Sequence, residues 1–166
     1  MDYFNVIEKR FSCRKFKEEA ISKELLDKVL NAGLLAPTAC NYQPERIFVI
    51  SSSEALNKLK EATRYTFNAK TVLCICHNKD ESWHRGNDGL DHGKVDSTIV
   101  ATQMVLALTA LDLGSCYVCS FKEALVKEIL GLGDNYEVDI LLPIGYKDEE
   151  KPHNSRKKLE DIVSYL

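Results

Sequence analysis

The sequence predicts one domain of mixed α and β structure, with about four strands and five helices, and three observations predict it. The chain has 166 residues, the size of a single domain that can bury a core without disulfides or a metal. Apolar stripes at helical spacing alternate with short β-branched runs, and no repeat or low-complexity linker divides them. Neither G-x-G-x-x-G nor G-x-x-x-x-G-K occurs. The alternation suits a doubly wound sheet, but without a phosphate loop to support it, periodicity leaves the topology open.

Residues 2–10 predict a short helix with Tyr3, Ile7 and Phe11 turned inward. Ser22 can cap the next helix, whose stripe is Leu25, Leu26, Val29 and Leu30. Ala36-Pro37 ends it, because the residue before a proline disfavours the α region. A polar loop, 38–45, leads to a strand over 46–50. Ser51-x-x-Glu54 has the form of a capping box for a helix reaching about Thr63. Residues 71–76 form a strongly apolar strand, on which Cys74 and Cys76 share a face. Residues 77–94 are polar, contain Gly86, Gly89 and Gly93, and are expected to form a mobile loop. A long helix begins at Lys94 or Val95 and runs to Leu113, with Gly114 as its C-terminal cap. It is apolar around most of its circumference, which places it centrally or at a subunit interface. A strand over 115–119, a helix over 122–130 capped by Gly131, and a strand over 138–146 follow. The charged tail, 147–166, carries a late apolar set of Leu159, Ile162 and Val163.

Composition excludes several classes. At 45% hydrophobic and 28% charged the chain is ordinary for a globular protein, and its net charge of -3 argues against nucleic-acid and anionic membrane partners. The N-terminal residues have no apolar core of signal-peptide length, and the most apolar stretch, 95–113, is broken by Asp96, Gln103 and Asp112. A cytoplasmic location is expected, with the six cysteines as free thiols. Cys74-x-Cys76 and Cys116-x-x-Cys119 invite a zinc reading, but both pairs lie in apolar runs where cysteine packs as a small hydrophobe. No metal is expected.

Four segments carry candidate chemistry. Arg10-Phe11-Ser12-Cys13-Arg14-Lys15-Phe16-Lys17 is basic, and its guanidinium forks and serine hydroxyl suit phosphate oxygens. Taken alone it equally describes a solvated helix end. Ala36-Pro37-Thr38-Ala39-Cys40-Asn41-Tyr42-Gln43-Pro44 combines small residues with two amides able to meet a heterocycle edge, or forms a plain turn. The segment 113–121 and the tail 154–163 each have a bland structural reading too.

Their order and spacing together are specific. The chain resembles the nitroreductase family of flavoproteins from about residue 3 to 163. Arg10, Ser12, Arg14 and Phe16 match its opening Arg-x-Ser-x-Arg-x-Phe, and Ala36, Pro37, Thr38, Asn41, Gln43 and Pro44 match its Ala-Pro-Ser-x-x-Asn-x-Gln-Pro. Asn68-Ala69, then Gln103 on a long helix with Leu113-Gly114-Ser115-Cys116 after it, and finally Gly145-Tyr146 with Arg156 to Val163 match the remaining elements.

The resemblance implies an α+β fold: an α/β/α sandwich around a mixed, mainly antiparallel sheet, a single domain over 1–166, paired as an interlocked homodimer with FMN at the interface. It implies that Arg10, Ser12, Arg14 and Arg156 hold the ribityl phosphate and nearby ring oxygens, with Arg14 stabilising the anionic reduced ring. Pro37, Thr38, Ala39 and Asn41 would cover the ring from the other subunit, Gln43, Asn68 and Gln103 would add cofactor contacts, and Cys119-Ser120 would present backbone N–H to the flavin N5. Family members usually carry glycine where Cys119-Ser120 stands. The implied activity is two-electron reduction of nitroaromatics, quinones or related acceptors by NADH or NADPH, donor and acceptor taking turns in one pocket. The flavin carries the chemistry, so no catalytic side chain is expected. Trp83 and His84 in the 77–94 loop are the candidate substrate contacts. A non-catalytic FMN-binding protein would use the same phosphate ligands and is the alternative.

Overall fold

A short β-branched run apolar on both faces, such as TVLCIC, suits a strand with cover on each side. A computed structural model, which describes residues 2–166, places it as β2 (Thr71–Asn78) with every residue buried. The helices are α1 (Tyr3–Lys9), α2 (Lys23–Leu34), α3 (Ser53–Ala62), α4 (Gly93–Ala110) and α5 (Glu123–Leu130). The other strands are β1 (Glu45–Ile50), β3 (Leu113–Ser115) and β4 (Tyr136–Tyr146). Sheet order is β1-β2-β4-β3, every pair antiparallel. The parallel component is a single bridge between Ser12 and Ser115 at the β3 edge.

Alternation along β2 and β4 divides the core in two. Leu73, Ile75, Leu142 and Ile144 face α2 and α4, packing on Val29, Met104 and Leu108. Val72, Cys74, Cys76 and Leu141 face α3 and α5, packing on Leu59 and Val126. The result is the three-layer α/β/α sandwich, and Cys74 and Cys76 do share a face. Burial pushes the Cys76 thiol up to about 11, so it packs as a neutral hydrophobe.

Several expectations are corrected. In α1, Val6 faces the core together with Phe11, whereas Tyr3 is 60% and Ile7 44% exposed. The cap of α3 is Ser52, accepting from Ala55 N at 3.2 Å, not Ser51. Helix α4 starts at Gly93 and stops at Ala110. Asp112 takes the left-handed turn at φ 61, and Gly114 lies in β3 instead of capping the helix. Glycine is needed there because a Cβ would stand 2.8 Å from Cys13 Sγ. The strand expected over 115–119 stands earlier, at Leu113–Ser115, and beyond it Val118 keeps one bridge to Leu141.

The segment expected to be a mobile loop is a bonded hairpin. Residues 77 and 78 belong to β2 and residues 93 and 94 to α4. Between them His92 N donates to Trp83 O at 3.0 Å, Arg85 N to Leu90 O at 2.9 Å, and Gly89 N to Arg85 O at 2.7 Å.

Candidate functional site

The Arg10-x-Ser12-x-Arg14 spacing has a strand's period of two. Arg10 ends α1 with extended ψ 129, and the chain then runs along the sheet edge. Cys13 N donates to Ser115 O and Lys17 N to Tyr146 O, each at 2.9 Å. Phe11 and Cys13 consequently face the core, and Arg10, Ser12 and Arg14 face out. They line a cavity of about 960 Å³ with Lys151, Ser155 and Arg156 from the tail. Among the described residues Glu8 is the one carboxylate on a wall that carries Arg10, Arg14, Lys151 and Arg156. Such a wall attracts a multiply charged anion, and its guanidinium forks match phosphate oxygens.

A second, smaller cleft of about 240 Å³ adjoins it, with Arg14 common to both. Its walls are Tyr65 and Phe67 on one side and residues 116–120 on the other. The Thr63 hydroxyl donates to Ser120 O at 2.7 Å and Lys122 N to Ala62 O at 2.9 Å, which fixes the second wall. Cys119 is exposed, and no backbone hydrogen bond of the described residues engages the N–H of Cys119 or Ser120. Cys116 is buried, and that burial raises its thiol pKa against the lowering influence of Arg14 and Ser12. Two cavities that share an arginine, one cationic and one smaller with aromatic side chains in its lining, suit a long ligand with a phosphate at one end and a flat ring at the other.

The remaining candidates lie elsewhere in the chain. Residues 37–43 line neither the cavity nor the cleft. Pro37 and Gln103 border an apolar groove of about 720 Å³ between α1, α2 and α4. Gln103 Nε2 donates to Ala32 O at 2.8 Å, so its amide ties α2 to α4. Thr38 Oγ1 accepts from Gln43 N at 3.1 Å, and Gln43 Nε2 donates to Asn41 O at 3.0 Å. Asn68 is exposed at φ 55 and lines a separate depression with Lys60 and Lys70. Trp83 packs edge-on against His92 at 5.0 Å, and His84 is exposed. Neither lines the cavity or the cleft.

Reading the sequence missed a buried polar cluster behind the hairpin. His77 is 1% exposed, with Nδ1 2.8 Å from Asp139 Oδ2 and Nε2 3.3 Å from Asp91 Oδ2. Asp91 Oδ1 accepts from Ser82 Oγ at 2.6 Å and Gly93 N at 2.7 Å. Burial alone would lower the His77 pKa, but hydrogen bonds and charge from the two carboxylates raise it. Burial likewise opposes ionisation of Asp91, which the Ser82, Gly93 and His77 contacts more than offset, lowering its pKa. The available signal was Asp139 inside the apolar run of β4, since a buried carboxylate demands a partner.

Large apolar side chains are exposed on α1, the end of α2, α4 and the tail. Tyr3, Phe4, Leu34, Leu35, Val95 and Ile99 are exposed, as are Leu159 and Ile162 in a tail exposed throughout 151–166. Among the described residues no helix is long and apolar enough to cross a membrane.

Comparison with known proteins gives three kinds of likeness. The profile of the Nitroreductase family matches residues 7–67 and 64–146. A solved nitroreductase family protein from Clostridium difficile 630 is 35% identical, with a TM-score of 0.95 over 99% of this chain and 98% of that one. An FMN-dependent nitroreductase from Clostridium difficile R20291 is 28% identical, with a TM-score of 0.83 and 98% of each chain covered. An NADPH-flavin oxidoreductase of Vibrio harveyi is 28% identical over 180 residues, covering 93% of this chain and 75% of its own.

Proposed function

The chain belongs to the nitroreductase family, and on that premise we propose that its basic cavity holds the FMN phosphate and its cleft takes the flavin ring. The protein is a nitroreductase-type oxidoreductase that uses FMN and draws electrons from NAD(P)H. The observation that carries the site assignment is Arg14, which lines both spaces.

The residues present fit the cofactor. Arg10, Ser12 and Arg156 supply charged and hydroxyl donors for a phosphate, and Tyr65 and Phe67 offer flat walls to a ring. When bound, FMN supplies two-electron redox chemistry, taking a hydride from the nicotinamide and returning it to an acceptor. The chain's own residues bind and polarise. Arg14 places positive charge at the border of the two spaces, where it stabilises an electron-rich ring. The backbone N–H groups of Cys119 and Ser120 are the donors available to the ring edge. Asn68 and Gln103 contribute through the turn and the helix brace that carry them.

Residues 37–43 line neither space, so their role in covering the ring falls to a second copy of the chain. The exposed apolar side chains of α1, α2 and the tail would be buried in that homodimer. Donor and acceptor then use one open pocket in turn, a ping-pong exchange that suits nitroaromatics and quinones. Trp83 and His84 line neither space within one protomer, so their contact with substrate falls to the hairpin of the second copy. The enzyme works in the cytoplasm, with no nucleic-acid or membrane partner.

The test is a visible absorption spectrum of the purified protein under argon, before and after NADH or NADPH, with gel filtration beside it. Flavin bands that bleach, in a dimer, are the expected result. Bands that persist with both donors would move the protein to a flavin-binding role without turnover. A colourless protein that takes up no FMN would end the site assignment.

A further inference from the structure

Two side chains on one face of α4 hold the connection between α2 and β1. Asp96 and Gln103 stand two helical turns apart, about 10 Å along the axis. Asp96 Oδ1 accepts from Ala39 N at 2.9 Å, and Gln103 Nε2 donates to Ala32 O at 2.8 Å. One brace therefore fixes the last turn of α2, and the other fixes the loop beyond it.

The loop needs that second brace. Cys40, Asn41 and Gln43 adopt φ of 50, 57 and 52, left-handed positions that side chains disfavour. Its own bonds, such as Gln43 N to Thr38 Oγ1 and Asn41 N to Thr38 O, close it on itself and do not tie it to the body. Pro44 O accepts from Asn78 N at 2.9 Å, which anchors the far end. The near end rests on Asp96. That carboxyl is 2% exposed, and its Oδ2 is buried with no partner among the described residues. Burying a carboxyl with an oxygen unpaired is costly, and the Ala39 bond is the one hydrogen bond that carboxyl makes among the described residues.

We infer that Asp96 is a positioning residue for the flavin-covering loop, holding through the Ala39 N–H the start of the segment in which Cys40, Asn41 and Gln43 take left-handed conformations. This rests on the reading that residues 37–43 cover the flavin of a second subunit. Asp96 itself acts through the loop and not on the ring.

The FMN-loaded protein tests this with four variants. Asp96→Ala removes the acceptor. Asp96→Asn keeps an oxygen for Ala39 N. Ala39→Pro removes the donor from the other side. Thr38 has φ -127 and ψ 160, the conformation a residue before proline prefers, and Ala39 opens a helical turn, where proline is accepted. Asn41→Ala reports whether the loop touches the flavin at all. Asp96→Ala and Ala39→Pro are each expected to raise the FMN dissociation constant about tenfold and to alter the visible circular dichroism of the bound flavin. Asp96→Asn should stay within about threefold of the parent. A position that served only stability would lower the melting temperature and leave the flavin dichroism alone. If Asn41→Ala moves the flavin signals while Ala39→Pro and Asp96→Ala leave them unchanged, the loop covers the flavin but Asp96 does not position it. If all four are silent, the loop assignment itself fails and the inference with it. Should Asp96→Ala not fold, Ala39→Pro decides alone: an unchanged dissociation constant and dichroism overturn the inference.

Discussion

Replacing Asp139 with alanine should destabilise the fold more at pH 6 than at pH 9. At 2.8 Å from His77 Nδ1, the gross attraction between full charges is roughly 6 kcal/mol at an effective dielectric of about 20. Desolvation of both groups offsets part of that. Removing one partner of a buried pair costs about 3–5 kcal/mol, and the low end applies here because Asp91 stays 3.3 Å from Nε2. For a chain of this size about 3 kcal/mol corresponds to a melting temperature roughly 6–12 °C lower. The pH dependence follows from the direction of the His77 shift. Its folded pKa is raised above its ordinary 6.5. The stability it contributes is complete below 6.5 and is lost as pH climbs through the higher folded value. Asp91 has the opposite sense: its pKa is lowered below 3.8, so its contribution is lost only in acid and does not interfere at pH 6. Thermal melts of parent and variant at the two pH values measure the difference. An equal cost at both, or a cost under about 1 kcal/mol at pH 6, would refute the idea that a charged His77–Asp139 pair holds the base of the hairpin.

Other outcomes follow from the same geometry. Arg156→Ala should weaken FMN binding by about tenfold or more, the loss of a charge-assisted hydrogen bond, read by quenching of flavin fluorescence on titration; unchanged affinity would remove the tail from the phosphate cavity. Gly93→Ala would put a Cβ 2.1 Å from His77 Cδ2, against a ring held on both sides by carboxylates, so calorimetry should show a loss of at least about 1–3 kcal/mol. Trp83→Ala removes the edge contact to His92 and should change the KM for the electron acceptor with FMN content constant; an identical acceptor profile would dissociate the hairpin from the substrate pocket.

Much of the site was legible because it is written in local periods. Arg10, Ser12 and Arg14 alternate with Phe11 and Cys13, and any extended segment with one face against a core must turn those arginines outward together. Ser22 and Gly131 mark helix ends through bonds made within a turn of themselves. The apolar circumference of α4 was legible too, and within the protomer one face of that helix packs on the sheet while Val95 and Ile99 stay exposed on the other. Gly114 misled for a related reason: a glycine after a helix reads as a cap, yet here Asp112 makes the turn and the glycine yields space to Cys13, a hundred residues away in the chain.

What the sequence determined by itself depends on near neighbours: most of the elements, the inward faces of α2 and β2, and a basic stretch with the order of motifs that marks a flavoprotein family. Tertiary structure alone decided which distant groups meet. Arg156 joins Arg10 only because the tail folds back along α1, and Arg14 serves two spaces only because segments 65–67 and 116–120 close beside it. His77 finds Asp139 across two strands and Asp91 across a hairpin, and Asp96 reaches Ala39 from another helix. Such contacts are set by the register and packing of whole elements, and a buried charge shows its partner only once that packing is known.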